Sequence, residues 1–317
     1  MQLIRALIWS LAFLSLTVES FALTTITTSN VSTLLKTVKN LKSGSIVYLK
    51  ARTYVLKDTL RIATSNVSII GEPGTKLVLA DNINKPVVSI GSQEAIPTFV
   101  TQNVTFANIE IDGNKDNQTS ETQADKAWIR NNVIDVRAVS GLTINNVISN
   151  NNRSGGLVVS NGSSDIHVAD SIFGDNYYDG VAYYDSTRIF TLNSRMSGND
   201  GAGISLDLDI NDSIFSNCIL DGNGDGGVFA RFASELRFNH CVIKNSGNWA
   251  VFLGHNEEYD DQGVHDLVFS GCQILDNIGG LLMSSTSETQ SSHNSVAGCV
   301  FRGNEQQGRS NIQTLGP

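Results

Sequence analysis

The chain has 317 residues and a formal net charge of −9, with 31 acidic against 22 basic side chains. That balance excludes nucleic acid as a natural partner, because phosphate contacts need a basic surface. Charged residues make up only 17% of the chain while glycine is abundant at 28 residues and proline scarce at four. The mix favours many short strands and turns over long surface helices.

Residues 1–22, MQLIRALIWSLAFLSLTVESFA, carry a basic residue at Arg5, then an apolar core, then Ser20-Phe21-Ala22. This is the layout of a cleaved secretory signal, which places the mature chain in the extracellular space or periplasm. The apolar run is short and broken by Glu19, so a membrane span is not expected, nor is membrane association after cleavage. Residues 23–44 read as an N-terminal cap. Within 29–42, Val31, Leu34, Leu35, Val38 and Leu41 share one helical face, and Gly44 is expected to end the helix. Residues 45–317 then form one domain that opens with strands in SIVYLKARTYVL.

From residue 109 onward the chain repeats itself. IEIDGN, VISNNN, SIFGDN, SRMSGN, CILDGN, CVIKNS, CQILDN and CVFRGN are variants of one segment. Its first position recurs every 23 or 24 residues from Val147 to Cys241, then after 31 and 27. Five positions later stands Asn, at 114, 152, 176, 199, 223, 277 and 304, with Ser246 as the exception. A short strand of alternating apolar residues follows each time, as in GLVVS, GVAYY, GISLD and GVFAR. A period of this length with several strands per turn describes a solenoid, and the regular Leu spacing of leucine-rich repeats is absent. The reading is an all-β fold, a single right-handed parallel β-helix whose coils stack about 4.8 Å apart. The Asn column becomes an internal ladder, and the Cys column a buried stack of free thiols rather than disulfides. The first coil is covered by the helix. The last has no such cover, so the C-terminal end is expected to meet a loop or a second copy of the chain.

Aligning the strands sorts side chains by face. One outward column reads Asp135, Val158, Ala182, Ser205, Phe229, Phe252, Leu282, and its neighbour Arg137, Ser160, Tyr184, Asp207, Arg231, Gly254, Ser284. Two insertions flank this sheet: residues 115–131, which carry Lys126, Trp128 and Arg130, and residues 255–264, which begin with His255. Long loops beside one sheet of a regular solenoid mark a functional groove. Tyr184, Asp207 and Arg231, with Arg137 and His255 in support, are the candidate catalytic groups. Asp135, Trp128, Lys126, Phe229, Phe252 and Asp209 are the candidate substrate contacts. Phe229 and Phe252 either stack sugar rings or pack beneath the loops.

The repeats resemble the pectin-lyase-like right-handed β-helix superfamily across the mature chain. From about 142 to 256, in NDGAGISLD, GDGGVFARF and YYDGVAYYD, they look most like mannuronan C5-epimerase modules. The resemblance implies a polysaccharide partner and lyase-like or epimerase-like chemistry on a uronate. That family's motif YGFDPHE would fall on SGGLVVSN (154–161), which has none of its Tyr, Asp or His. Its later Arg would fall at Gly201 and its column Asp at Tyr184, so its catalytic residues do not carry over.

The residues themselves admit two mechanisms and a rival class. Arg231 or Arg137 can neutralise a uronate carboxylate while Tyr184 or His255 exchanges protons. Alternatively, Asp207 and Asp209, about 6.8 Å apart on an extended strand, suit an inverting hydrolase. The rival is a non-catalytic glycan-binding or surface protein. No cofactor is expected beyond Ca²⁺, for which the acid-rich EEYDDQ (257–262) offers oxygen ligands.

Overall fold

The computed structural model describes residues 23–26, 30–254, 263–284, 293–305 and 312–315. The leader-like segment 1–22, His255 and the acidic stretch 257–262 lie outside the described residues. Apart from one helix and one short 3₁₀ turn, all regular structure is β. The strands form three parallel ladders that wind around a common apolar core, which is a right-handed parallel β-helix.

The ladder that matters for function runs from Leu60–Ile62 through Val88–Gly91, Ile134–Arg137 and Leu157–Ser160. It continues through the first part of Val181–Leu192, then Ala202–Asn211, Gly226–Arg231, Trp249–Gly254, Gly279–Ser284 and Ile312–Leu315. Its register pairs Asp135 with Val158, Val158 with Ala182, Ala182 with Ser205, Ser205 with Phe229 and Phe229 with Phe252. Tyr184 pairs with Asp207. The first outward column is therefore observed as expected, and the second in the pairs Arg137–Ser160, Tyr184–Asp207 and Arg231–Gly254. The inward partners Leu157, Val159, Val181, Ile204, Leu206, Val228, Val251 and Leu253 are fully buried. Elsewhere in the core Phe215, Phe238 and Phe269 stack as a ladder of rings, with centroids 4.6 and 4.7 Å apart.

Corners explain the composition. Backbone with positive φ recurs at the bends, on Asn108, Asn146, Asp170, Asn193 and Asn217 at one corner and on Asn151, Asp175, Gly198 and Gly222 at another. Asn, Asp and Gly tolerate this left-handed geometry best, so each coil needs several of them. The residue that starts each repeat sits just after a corner and is buried, except Cys299 of the last repeat, which is half-buried. There Ser171 Oγ accepts the Val147 N–H at 3.1 Å, Ser194 Oγ accepts that of Ser171 at 3.2 Å, and Cys299 Sγ accepts that of Cys272 at 3.2 Å. A small side chain with one acceptor suits the slot, which is why Ser and Cys interchange. All four cysteines are free.

The Asn column is a ladder over part of its length, with two corrections, the first being Asn152, whose amide turns to the carbonyls of Asn131 and Gly155 and not to Asn176. Asn176 Nδ2 donates to Asn199 Oδ1 at 2.9 Å, Asn199 Nδ2 to Asn223 Oδ1 at 2.8 Å, and Asn277 Nδ2 to Asn304 Oδ1 at 2.9 Å. Asn114, expected in the series, is not part of it. It takes a left-handed backbone and its amide turns to the Leu79 carbonyl and Asp81.

The cap helix spans Val31–Lys39, shorter than its sequence pattern, with Asn30 as N-cap accepting the Thr33 N–H at 3.2 Å. It ends at Asn40 rather than Gly44, because the Asn40 side chain already satisfies the Lys36 carbonyl. Leu34 and Val38 enter the core over the first coils. A strand before the helix, Leu23–Ile26, pairs in parallel with Ile46–Leu49 and was not signalled by any alternation longer than four residues.

Candidate functional site

The outward face of this ladder divides into two clusters. The first contains Asp135 and Arg137, and the insertion 115–131 covers it. That insertion folds as a 3₁₀ turn, Lys115–Asn117, and a small antiparallel pair, Thr122–Gln123 with Lys126–Arg130. It leans on a second loop, residues 92–100, that sequence reading passed over. Lys126 Nζ donates to Gln93 Oε1 at 3.1 Å and Trp128 Nε1 to the Gln93 carbonyl at 3.2 Å. Arg137 lies beneath both loops, only 7% exposed, and donates to the carbonyls of Glu94 at 2.9 Å and Trp128 at 3.3 Å. Its guanidinium thus pins the loops together and is not presented to a ligand. Asp135, 3% exposed, accepts from Asn132 Nδ2 at 3.0 Å, and its second carboxyl oxygen has no partner. Burial raises its pKa to about 6 in spite of Arg137 nearby. Trp128 remains 46% exposed on the rim.

The second cluster brings together Tyr184, Asp207, Arg231, Phe229 and Phe252, and here two expectations change. Asp207 is buried, at 4% exposure, and does not face open solvent. Arg231 Nη2 reaches down one coil to its Oδ2, and the Leu208 N–H donates to its Oδ1 at 2.9 Å. Asp209, in turn, is not two residues along a straight strand. Leu208 and Asp209 both take positive φ, so the chain bulges where the coil below has one residue fewer at the corner. The extended spacing required for a hydrolytic pair with Asp207 does not apply there, and Asp209 is exposed at the bend.

Arg231 is held on its other side by aromatic packing. Its guanidinium carbon lies 5.0 Å from the Phe229 ring centroid, and Phe229 stacks on Phe252 at 5.2 Å with an interplanar angle of 8°. Both rings are half-buried. The Phe252 ring folds over Gly254, where a β-carbon would approach it to 2.6 Å. A flat apolar step with a cation at its edge results, a surface suited to a sugar ring bearing an anionic group.

Tyr184 sits one coil below Asp207. Burial, followed by the negative charges of Asp179 and Asp207, pushes its phenol up to about 12, so it stays protonated across the physiological range. Asp179 was absent from the sequence candidates. It stands in the turn that enters the same strand, and its Oδ1 accepts the Ala202 N–H of the next coil at 2.8 Å. Burial and the neighbouring Asp225 raise its pKa to about 6. Gly201 permits this approach, since a β-carbon there would lie 2.6 Å from Asp179 Oδ1. Arg130, from the insertion, lies 5.1 Å from the Tyr178 ring, whose hydroxyl donates to Glu121 at 2.6 Å. The only sequence signal for Asp179 was its place beside Gly180 in a turn, where Asp is ordinary. Its neighbours become visible only once the coils are stacked.

A phenol that holds its proton, a carboxyl that titrates near neutrality and an arginine at an aromatic step are groups suited to moving a proton beside an anion. Among the described residues no cluster of His, Cys, Asp and Glu is arranged to hold a metal ion. The family described as the right-handed beta helix region matches residues 101–260. The chain belongs to this family. A structural comparison adds the A-module of Azotobacter vinelandii mannuronan C-5 epimerase AlgE4, 16% identical, covering 80% of this chain and 78% of that one, with a TM-score of 0.51. ORF18 of Geobacillus virus E2 is 13% identical with a TM-score of 0.56; the match covers 84% of this chain and 53% of the viral one. The periplasmic alginate epimerase AlgG is 13% identical, covers 81% and 75%, and has a TM-score of 0.50. At these identities the likeness is one of fold. No curated protein matches the sequence.

Proposed function

We propose that this β-helix protein acts on a polysaccharide outside the cytoplasm, and that the face around Tyr184 transfers a proton at a uronate residue. The reading is carried by the placement of Tyr184 near enough to Asp179 to feel its charge, on the coil below the Asp207–Arg231 pair, with burial keeping the phenol protonated and raising the Asp179 carboxyl to about 6. In the proposed scheme Arg231 neutralises the sugar carboxylate and so acidifies the neighbouring C–H. Ionised Asp179 takes that proton and the Tyr184 hydroxyl supplies one. Delivery to the glycosidic oxygen gives elimination; delivery to the carbon from its opposite face gives epimerisation. Asp207 orients Arg231, and Phe229 with Phe252 supports the ring. The leader-like residues 1–22 and the periplasmic alginate epimerase AlgG among the similar folds support an extracytoplasmic setting, and AlgG with the mannuronan C-5 epimerase module supports an acidic glycan.

The test is turnover of defined uronate oligomers by residues 23–317, followed by mass spectrometry and NMR. Unsaturated ends or inverted C5 centres are expected, with the rate climbing through pH 6. Tyr184→Phe and Asp179→Asn should each lower the rate by about 10²–10⁴-fold, the usual share of a general acid or base. Binding of the same oligomers without any product would instead establish a glycan-binding protein, and undiminished turnover in both variants would remove these residues from the chemistry.

A further inference from the structure

At the N-terminal end of the same face lies a cavity of about 500 Å³ between the cap helix and the insertion. Its cations are Lys36, Lys39, Arg61, Lys85 and Lys126, and its carboxylates are Asp58 and Asp125. Asp58 is taken by Lys85 at 2.9 Å, and Asp125 accepts from Gln123 at 2.6 Å. Lys36, Lys39 and Arg61 make no ion pair among the described residues, and the Arg61 Nε is buried without a hydrogen-bond partner. Five cations against two carboxylates thus line one cavity in a chain of net charge −9. Such a concentration, in a concave site, attracts an anion.

The cavity lies on the same outward column as the candidate site, beyond the loops that cover Asp135 and Arg137. Arg61 pairs in register with Ser89, and Ser89 with Asp135, so Arg61 begins the outward column that continues through Val158 and Ala182. Lys126 and Gln93 belong both to the cavity wall and to the loops clamped by Arg137. Four rungs separate Arg61 from the coil of Tyr184, about 19 Å at the spacing of stacked strands. We infer that this cavity is a distal subsite that binds an anionic group, carboxylate or sulfate ester, on a polysaccharide chain that extends from Tyr184 over the rim of loops 92–100 and 115–131. The inference rests on the functional reading above and names what that reading leaves open: a ligand charged at more than one sugar and long enough to reach both places.

The experiment measures binding of a uronate dimer, a uronate octamer and a sulfated octasaccharide to residues 23–317 and to the variant Lys36→Glu/Lys39→Glu. Both lysines are exposed on the helix, so folding should survive, and thermal unfolding checks it. The octamer is expected to bind at least 10-fold more weakly to the variant, with the dimer unchanged and the wild-type affinity falling as salt rises. Preference for one octamer over the other identifies carboxylate or sulfate as the anion. Equal octamer affinity in wild type and variant would overturn the subsite while leaving turnover at Tyr184 intact. A wild-type protein that binds the octamer through these lysines yet forms no product would keep the subsite and refute the proton-transfer reading. No binding of either octamer would refute the subsite outright.

Discussion

Asp135 shows how burial writes pH dependence into one residue. Desolvation raises its pKa from the ordinary aspartate value to about 6, so the folded state holds its proton more tightly than the unfolded chain. Its contribution to stability is complete below pH 4 and is lost as pH rises to about 6 and beyond. A shift of this size corresponds to about 3 kcal/mol. Asp135→Asn should therefore raise the unfolding free energy at pH 7 by up to about 3 kcal/mol. It should also flatten the stability profile between pH 4 and 6, which denaturant titrations at several pH values will read. Asp207 shows the opposite solution: its buried carboxylate meets Arg231 and the Leu208 N–H. Arg231 is itself about a third exposed, and solvent screening makes the pair more a device for orientation than for stability.

Elements of the coil are held by short ladders, and their legibility differs. Strand alternation and the 23- or 24-residue period were enough to align the columns of the site-bearing sheet up to the bulge at Leu208 and Asp209, because period two leaves no freedom once the register is set. The Asn ladder was legible for the same reason. The closed Asp207–Arg231 pair, the clamp of Arg137 and the role of Asp179 were not, since each depends on contacts between segments 23 to 43 residues apart or on a one-residue bulge. Loop 92–100 also escaped, because nothing in its composition says that its carbonyls face inward. The ladder itself yields a pair of predictions. Asn199→Ala removes the acceptor of both Asn176 donors and should destabilise by about 1–3 kcal/mol. Ser246 interrupts the ladder and its hydroxyl has no partner, so Ser246→Asn should stabilise by about 1 kcal/mol. Thermal unfolding of the two variants beside wild type decides both.

On the scale of the whole molecule, the solenoid turns a one-dimensional repeat into a long face on which distant residues share a column. Loops 92–100 and 115–131 wall one end of that face, the aromatic step of Phe229 and Phe252 lies towards the other, and the lysine-rich cavity sits beyond those loops, against the cap helix. The chain is acidic overall, yet five cations line the cavity at the end of this face, an arrangement that suits an acidic polymer. The central claim is that this face moves a proton at the carbon beside a sugar carboxylate. Its most direct test is mass spectrometry of uronate oligomers incubated with the protein in deuterium oxide enriched in heavy oxygen. The account predicts deuterium at C5 of intact chains, or unsaturated ends without heavy oxygen, and loss of either signal in Asp179→Asn. Saturated fragments carrying heavy oxygen, or chains recovered without any change, would contradict it.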